Sequence, residues 1–200
     1  IGSEIGRQLL KYQPKQIRVY SRGETKQFHL HRELGEDENN LKVLRFLIGD
    51  VRDKDRLDRA FNDIDIVFHA AALKHVPFCE MNPFEAIKTN IHGTQNVIDL
   101  AIDHEVEKVI AISSDKAVYP NTIMGITKLM MERMVSSASN YSGAPKIKFA
   151  VVRFGNVVNS RGSVIPLWIE QIKKGKPVTI TDPKMARYFM SIYDAVKLVF

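Results

Sequence analysis

Cysteine is almost missing from these 200 residues: Cys79 stands alone. No disulfide can form within the chain, which excludes a small disulfide-stapled domain and favours a reducing compartment, a cytoplasmic setting in the first instance. No apolar run approaches the roughly 20 residues that a membrane-spanning helix needs, and the opening residues IGSEIGRQLL are not expected to act as a leader peptide. Like-charged runs are missing too. Basic residues exceed acidic ones by 29 to 23, for a net charge of +6, yet no Lys or Arg run is longer than two. Such a surplus suits a phosphate-bearing small molecule as well as nucleic acid. Without a recognisable nucleic-acid-binding motif, the small molecule is the expected partner. There is no repeat of solenoid period. The histidines share no metal-ligand spacing with acids on one element, so no metal is expected. The chain opens on IGSEIGRQLL, without the hydrophobic strand that normally precedes such a segment, and stops inside the apolar stretch Ala195–Phe200. It is therefore expected to be a fragment lacking a first strand, whose full-length form could carry a membrane anchor.

What is present is a packed core. The sequence is 44% hydrophobic and 26% charged, near the globular average. Apolar runs at Ile17–Tyr20, Val43–Ile48, Ile66–Ala71, Val109–Ile112 and Phe149–Val152 are rich in Val, Ile and Phe and do not alternate with polar residues. That pattern predicts strands buried on both faces of a parallel sheet. Helical patterns lie between them, at Ser3–Tyr12, Gly23–Glu33, Lys54–Asn62, Thr89–His104 and Met124–Ser139. Strand and helix alternate, so the fold class is α/β, a Rossmann-like doubly wound parallel sheet. Residues 1–155 form the expected nucleotide-binding domain. After Gly155 the sequence becomes loop-rich, with a helix near Val164–Lys174, and residues 156–200 are expected to begin a small substrate-binding subdomain. Cys79, beside Pro77, is expected half-buried in a loop.

In such sheets ligands bind beyond the carboxyl ends of the strands. Each predicted strand end here is polar, glycine-bearing or small: Ser21-Arg22, Gly49-Asp50-Val51, Ala70-Ala71-Ala72, Ser113 to Lys116, and Arg153 to Asn156. Gly2 and Gly6 open the first helix, where bare backbone lets a pyrophosphate approach the N–H groups, although capping and close packing would use the same glycines. Twenty residues beyond Gly2 stands Arg22. An arginine there accommodates a 2′-phosphate where an acid would bind the ribose hydroxyl, so NADP is expected over NAD, with NAD possible. Asp50 could accept from an adenine amino group or could cap the helix that follows.

Taken together, GDVRD (Gly49–Asp53), HAAALKHVP (His69–Pro77), TNIHGTQNV (Thr89–Val97), SSDKAVYPNTIMGITK (Ser113–Lys128) and RFGNVVNSRGSVIP (Arg153–Pro166) resemble the inverting nucleotide-sugar 4,6-dehydratases of polysaccharide biosynthesis, extended short-chain dehydrogenases. TDPKMARYFMSI (Thr181–Ile192) is similar to that family's late substrate-binding stretch. The resemblance implies a hydro-lyase acting on UDP-N-acetylglucosamine, in which hydride passes to and from NADP. It implies Asp115 as the acid for the 6-hydroxyl and Lys116 as the base at C5, with Ser114 bonded to the sugar 4-oxygen. It further implies Lys128 as the lysine of a Tyr-x-x-x-Lys pair holding the nicotinamide ribose, and Asn90 as a support of that cofactor region. Lys74 and His75 line the substrate cleft in this reading, and Asn156, Ser163 and Arg187 take the UDP. An acid that must hold its proton needs a raised pKa, and a lysine base a lowered one; a closed, partly dry site would supply both. Without the resemblance, Asp115 and Lys116 would read equally well as a strand-end ion pair, and Lys74 and His75 as solvated loop residues.

The tyrosine position of the pair is Met124, as in some long membrane-anchored relatives, and a thioether can neither accept nor donate the 4-hydroxyl proton. Tyr119 lies off that helix face. A nucleotide-sugar 4-epimerase would use the same oxidation without an elimination pair, and typically keeps the tyrosine. A non-catalytic NADP-binding sensor or scaffold would explain the lost tyrosine but not Ser114-Asp115-Lys116. The helices at Thr89–His104 and Met124–Ser139 are those by which the superfamily pairs subunits. A homo-oligomer is therefore expected, with Met130, Met131 and Met134 belonging either to that face or to the core.

Overall fold

A computed structural model describes residues 1–141, 146–158, 160 and 162–200. Helix α1 (Gly2–Leu9) leads through a tight turn to strand β1 (Ile17–Ser21). Helices α2 (Glu24–Leu34) and α3 (Glu38–Val43) then cross over to β2 (Leu44–Ile48), which pairs in parallel with β1 from Ile17↔Leu44 to Ser21↔Ile48. The sequence placed Val43 in the strand. It closes α3 instead, because the Asp37 carboxylate accepts from Asn39 N at 2.9 Å and starts a helix that runs until the backbone becomes extended at Leu44. Helix α4 (Lys54–Phe61) is capped by Asp53, which accepts from Arg56 N at 3.0 Å, and buries Leu57, Ala60 and Phe61.

Strand β3 (Ile66–His69) ends two residues before the sequence predicted, and short helices α5 (Val76–Met81) and α6 (Pro83–Ile87) occupy what read as loop. Prolines at their first turns suit helix starts, where no N–H bond is lost. Cys79, expected half-buried, is fully buried on α5, against Ala86 and Met124. A π-helical turn (Lys88–His92) runs into α7 (Gly93–Asp103); β4 (Lys108–Ser114), a 3₁₀ turn (Asp115–Ala117) and α8 (Ile123–Ser137) follow. Then come β5 (Lys148–Phe154), β6 (Asn156–Val157), α9 (Val164–Lys173), β7 (Phe189–Met190) and α10 (Ile192–Lys197).

The central strands alternate strictly between two helical layers. Phe68, Ala70, Ile110, Ile112, Val152 and Phe154 face α1 and α10, where Ile5, Val196 and Val199 are buried. Val109, Ala111, Phe149 and Val151 face the other way, onto Val97, Ile98 and Leu100 of α7 and Met131 and Val135 of α8. Burying side chains such as Ile98 or Val109 contributes about 1.5–3 kcal/mol each. The layers are those of a doubly wound sheet, but the pairing comes in blocks: β1 with β2, and β3 with β4 and β5, all parallel. The doubly wound order places a first strand between these blocks. β6 and β7 form a separate two-residue parallel ladder. Through α10 the chain returns from the loop-rich region to the core, where Val196 and Val199 share a hydrophobic cluster with Ile5 and Ile112.

Candidate active site

β4 delivers Ser114, Asp115 and Lys116 to the carboxyl edge of the sheet, and its buried course fixes their height. Ser114 caps the 3₁₀ turn: its Oγ accepts from Lys116 N at 3.3 Å and donates to Asp115 Oδ1 at 2.7 Å. Lys116 Nζ donates to the same Oδ1 and to Asn156 Oδ1, each at 3.2 Å. Four of the expected site residues therefore meet in one hydrogen-bonded group. Asp115 and Lys116 remain 41% and 38% exposed in their side chains, open enough to meet a ligand. Gly125, in the first turn of α8, lies so close to the Lys116 carbonyl that any Cβ there would clash with it. That approach sets the turn against the helix carrying Met124 and Lys128.

The Asp115 carboxyl does not follow the expectation of a raised pKa. Burial pushes it up, but the hydrogen bonds from Ser114 and Lys116 and the lysine charge outweigh this and hold it below the usual carboxylate range. In this open arrangement it is a carboxylate. Lys128 behaves differently. It is buried, its Nζ donates to Ile112 O at 2.8 Å, and desolvation brings its pKa down to about 8. Met124, one turn earlier on the helix, packs in the apolar cluster with Cys79. Tyr119 stands almost fully exposed, with φ 45°, and takes no part in the group.

Asn90 sits in the π-helical turn and is 2% exposed. Its Oδ1 accepts from Leu73 N at 2.8 Å, and its Nδ2 donates to Leu73 O and Thr127 Oγ1, both at 3.0 Å. These bonds lock the segment after β3 onto α8. Lys74 and His75 follow that locked segment and are exposed. The His75 ring lies against Gly162, whose φ of 69° and lack of a side chain let the two loops cross.

Of the residues expected to meet a cofactor, Ser21 and Arg22 lie at the end of β1, and Asp50 and Val51 follow β2. Gly2 opens α1 with free space where a Cβ would stand, as close approach of a pyrophosphate requires. Ser21 receives Gln27 Nε2 on its Oγ at 3.1 Å. Arg22 reaches across to Asp50 at 3.4 Å, with its side chain 51% exposed. Asp50 is not the cap of α4. Its carboxylate accepts from Arg52 N, Nε and Nη2, and these contacts with the arginine charges hold its pKa down against burial. Val51 is buried and its carbonyl accepts from Asn96 Nδ2 at 2.8 Å, while Ala70, Ala71 and Ala72 follow β3 half-buried. On the opposite side, Ser163 precedes α9 with its Oγ buried and unpartnered. Arg187 is exposed and donates to its neighbour's carbonyl, Ala186 O, at 3.2 Å.

Three supports escaped the sequence reading. Glu80 Oε1 accepts from Ile123 N at 2.7 Å and caps α8 from another helix. His69, buried and bonded to Thr94 Oγ1 at 3.0 Å, has its pKa driven down to about 3 by desolvation, with the Lys128 charge adding to it. Glu132 is buried between Ser113 and Arg153. Only the last had a local signal, a Lys-x-x-x-Glu spacing on one helix face. No group of His, Cys, Asp and Glu able to hold a metal occurs among the described residues.

Fold and site together define a doubly wound α/β protein with a Rossmann-like fold and a Ser-Asp-Lys group at a strand end. The chain belongs to the polysaccharide biosynthesis protein family, whose pattern it matches over residues 1–200. It is 61% identical over 199 residues to an uncharacterized membrane protein of Methanocaldococcus jannaschii, covering 100% of this chain and 58% of that protein. It is 48% identical to an inverting UDP-N-acetylglucosamine 4,6-dehydratase of Campylobacter jejuni, over 96% of this chain and 56% of that one. It is 50% identical to a UDP-glucose 4-epimerase of Rickettsia rickettsii, over 92% and 53%. Its structure is similar to that of Pen from Bacillus thuringiensis, with a TM-score of 0.94 at 47% identity over 99% of this chain and 62% of that one. The chain thus spans little more than half the length of these relatives. No helix among the described residues is long and apolar enough to cross a membrane.

Proposed function

We propose that this chain carries the cofactor-binding and catalytic part of a UDP-N-acetylglucosamine 4,6-dehydratase serving surface-glycan synthesis in the cytoplasm. One observation carries the reading: Asp115 Oδ1 receives both Ser114 Oγ and Lys116 Nζ at an exposed strand end. An epimerase has no use for such an acid–base pair, although one relative of comparable identity bears that name. A scaffold has no use for it either.

Gly2, Ser21, Arg22 and Asp50 are assigned to the dinucleotide, with Val51 and Ala70 to Ala72 along its path; the half-exposed Arg22 favours NADP over NAD. When bound, the cofactor supplies the hydride acceptor for C4 and the hydride donor for C6, with no net redox change. The residues do the rest. With Met124 lacking a hydroxyl, the 4-hydroxyl proton passes through Ser114 Oγ to the Asp115 carboxylate, along the 2.7 Å bond already present. Held ionised by Ser114 and Lys116, Asp115 begins with a vacant site for that proton, and as a weak base it releases it readily in the next step. Asp115 then gives that proton to the departing 6-hydroxyl, which leaves as water. Lys116, once it has lost its ammonium proton to solvent, takes the C5 proton made acidic by the neighbouring ketone and later returns a proton to C5. Asn156 orients Lys116 through its 3.2 Å bond. Lys74, His75, Ser163 and Arg187 are assigned to the sugar nucleotide, Arg187 as a forked cation for the diphosphate. They make residues 156–200 the start of the substrate-binding region. Ile126 and Met130, one turn apart and exposed on α8, are assigned to contact with a second copy.

The test is an NMR time course of the full-length protein with UDP-N-acetylglucosamine in deuterated water, with Lys116→Ala as control. A 4-keto-6-deoxy product deuterated at C5, and lost in the control, is expected. Formation of UDP-N-acetylgalactosamine instead would make the protein an epimerase.

A further inference from the structure

The mechanism above leaves unused a charged group buried beside it. Glu132 lies one turn beyond Lys128 on α8 and is 6% exposed. Its Oε1 receives Ser113 Oγ and, at 2.8 Å, Arg153 Nε; its Oε2 receives Arg153 Nη2, a forked pair. Ser113 and Arg153 stand opposite each other in the β4–β5 register, and Ser113 immediately precedes Ser114. One carboxylate therefore grips two adjacent strands just beneath the Ser114-Asp115-Lys116 turn.

We propose that Glu132 is a positioning residue for the dehydratase chemistry, which fixes the end of β4 through Ser113 and Arg153 and supplies the acidic charge that keeps Lys128 an ammonium. The inference rests on the reading that Lys128 holds the cofactor ribose. A buried lysine without an acid nearby sheds its proton, and with it the positive charge and one of its three N–H donors. Lys128 is so deeply buried that desolvation alone drives it toward the neutral amine, and Glu132 opposes this. The other charged or titratable neighbours do not share the task. His69, from β3, is neutral at any ordinary pH and bonded to Thr94. Arg153, from β5, reaches Lys128 only by partly neutralising Glu132. The clamp is thus a balance: Arg153 tempers the glutamate, and the glutamate sustains the lysine. Arg153 is partly exposed, so a phosphate-rich ligand or salt would alter that balance before it touched Glu132.

The test needs no turnover. Lysine side-chain NMR of the full-length protein, assigned with Lys128→Met, follows the Lys128 titration directly. The wild-type midpoint is expected near 8. Glu132→Gln should move it to lower pH, Arg153→Gln should move it to higher pH, and Glu132→Asp should restore most of it. If the glutamine variant does not fold, the opposite shift in Arg153→Gln still decides the matter. A midpoint unmoved by either change overturns the proposal and leaves Glu132 a structural strut. Cofactor affinity measured against pH on the same variants separates the two readings. If the midpoints move and the affinity profile follows, both stand. If the midpoints move while cofactor affinity ignores them, the charge balance stands and the assignment of Lys128 to the ribose falls.

Discussion

The two sides of the candidate site are held by different physics. On the side built by β4, the 115–117 turn and α8, nearly every polar atom below the surface has a partner: Lys128 on Ile112 O, Glu132 on Ser113 and Arg153, Asn90 on Leu73 and Thr127. On the side from Ser163 to Met190, order rests on a two-residue ladder, the Trp168 Nε1 bond to Thr179 O, and the Gln171 contacts with Thr179. Leu167, Ile172, Ile180 and Tyr188 remain exposed there. The groups assigned to proton transfer thus sit on elements that cannot shift without breaking buried hydrogen bonds. The groups assigned to recognition sit on elements that can. Chemistry that fails with an ångström of misplacement gains from the first kind of support, whereas nucleotide binding tolerates the second.

That contrast can be broken or sharpened by four substitutions in the full-length protein. The largest effect is expected for Asp115→Asn. Removing the proton carrier should cost about 10²–10⁴-fold in kcat, while the melting temperature stays near wild type because the side chain is half exposed. A large stability loss there would show the ion pair to be structural.

Lys128→Met tests the buried side through pH. With a folded-state pKa of about 8 against an ordinary 10.5, the folded protein sheds this proton first as pH rises. Between those values the unfolded chain binds more protons, so Lys128 makes wild-type stability climb with pH. Its burial costs most below about 8. Relative to Lys128→Met, wild type should gain on the order of 3 kcal/mol across that window, measured by denaturant unfolding. A flat difference would mean that Lys128 finds water.

Asn90→Ala should cost about 2 kcal/mol, since it strands the N–H and C=O of Leu73 and unhooks α8. It should also lower kcat by letting the segment after β3 move. Arg187→Ala is the smallest in stability, within about 0.5 kcal/mol, yet it should raise KM for the UDP-sugar about tenfold with little change in kcat, as lost uniform binding does. An equal fall in kcat would place Arg187 among the groups that act in the transition state and erase the contrast.

Much of the framework was legible in the chain. The runs at Ile66, Val109 and Phe149 become strands because an uninterrupted apolar run rich in β-branched and aromatic residues has nowhere to go but between two layers. The strand ends at Ser114-Asp115-Lys116 and Asp50 follow from the same topology. The region after β3 was not legible as helix: α5 and α6 are six and five residues long, too short to show a period, and their prolines read as loop punctuation although they start the helices. Nor could the state of Asp115 be read. Two carboxylate–donor contacts, absent from any spacing rule, reverse the effect of burial.

Hydrophobic periodicity is local, and so the order of the main strands and the longer helices, and the residues carried to the sheet edge, are determined by the amino-acid sequence alone. Contacts between residues distant along the chain were decided only by the tertiary structure. Glu132 meets Arg153 across 21 positions, and Asn90 meets Thr127 across 37. Hydrogen-bond partnership and desolvation depend on where the folded backbone brings groups together, and these set the charge of Asp115 and Lys128.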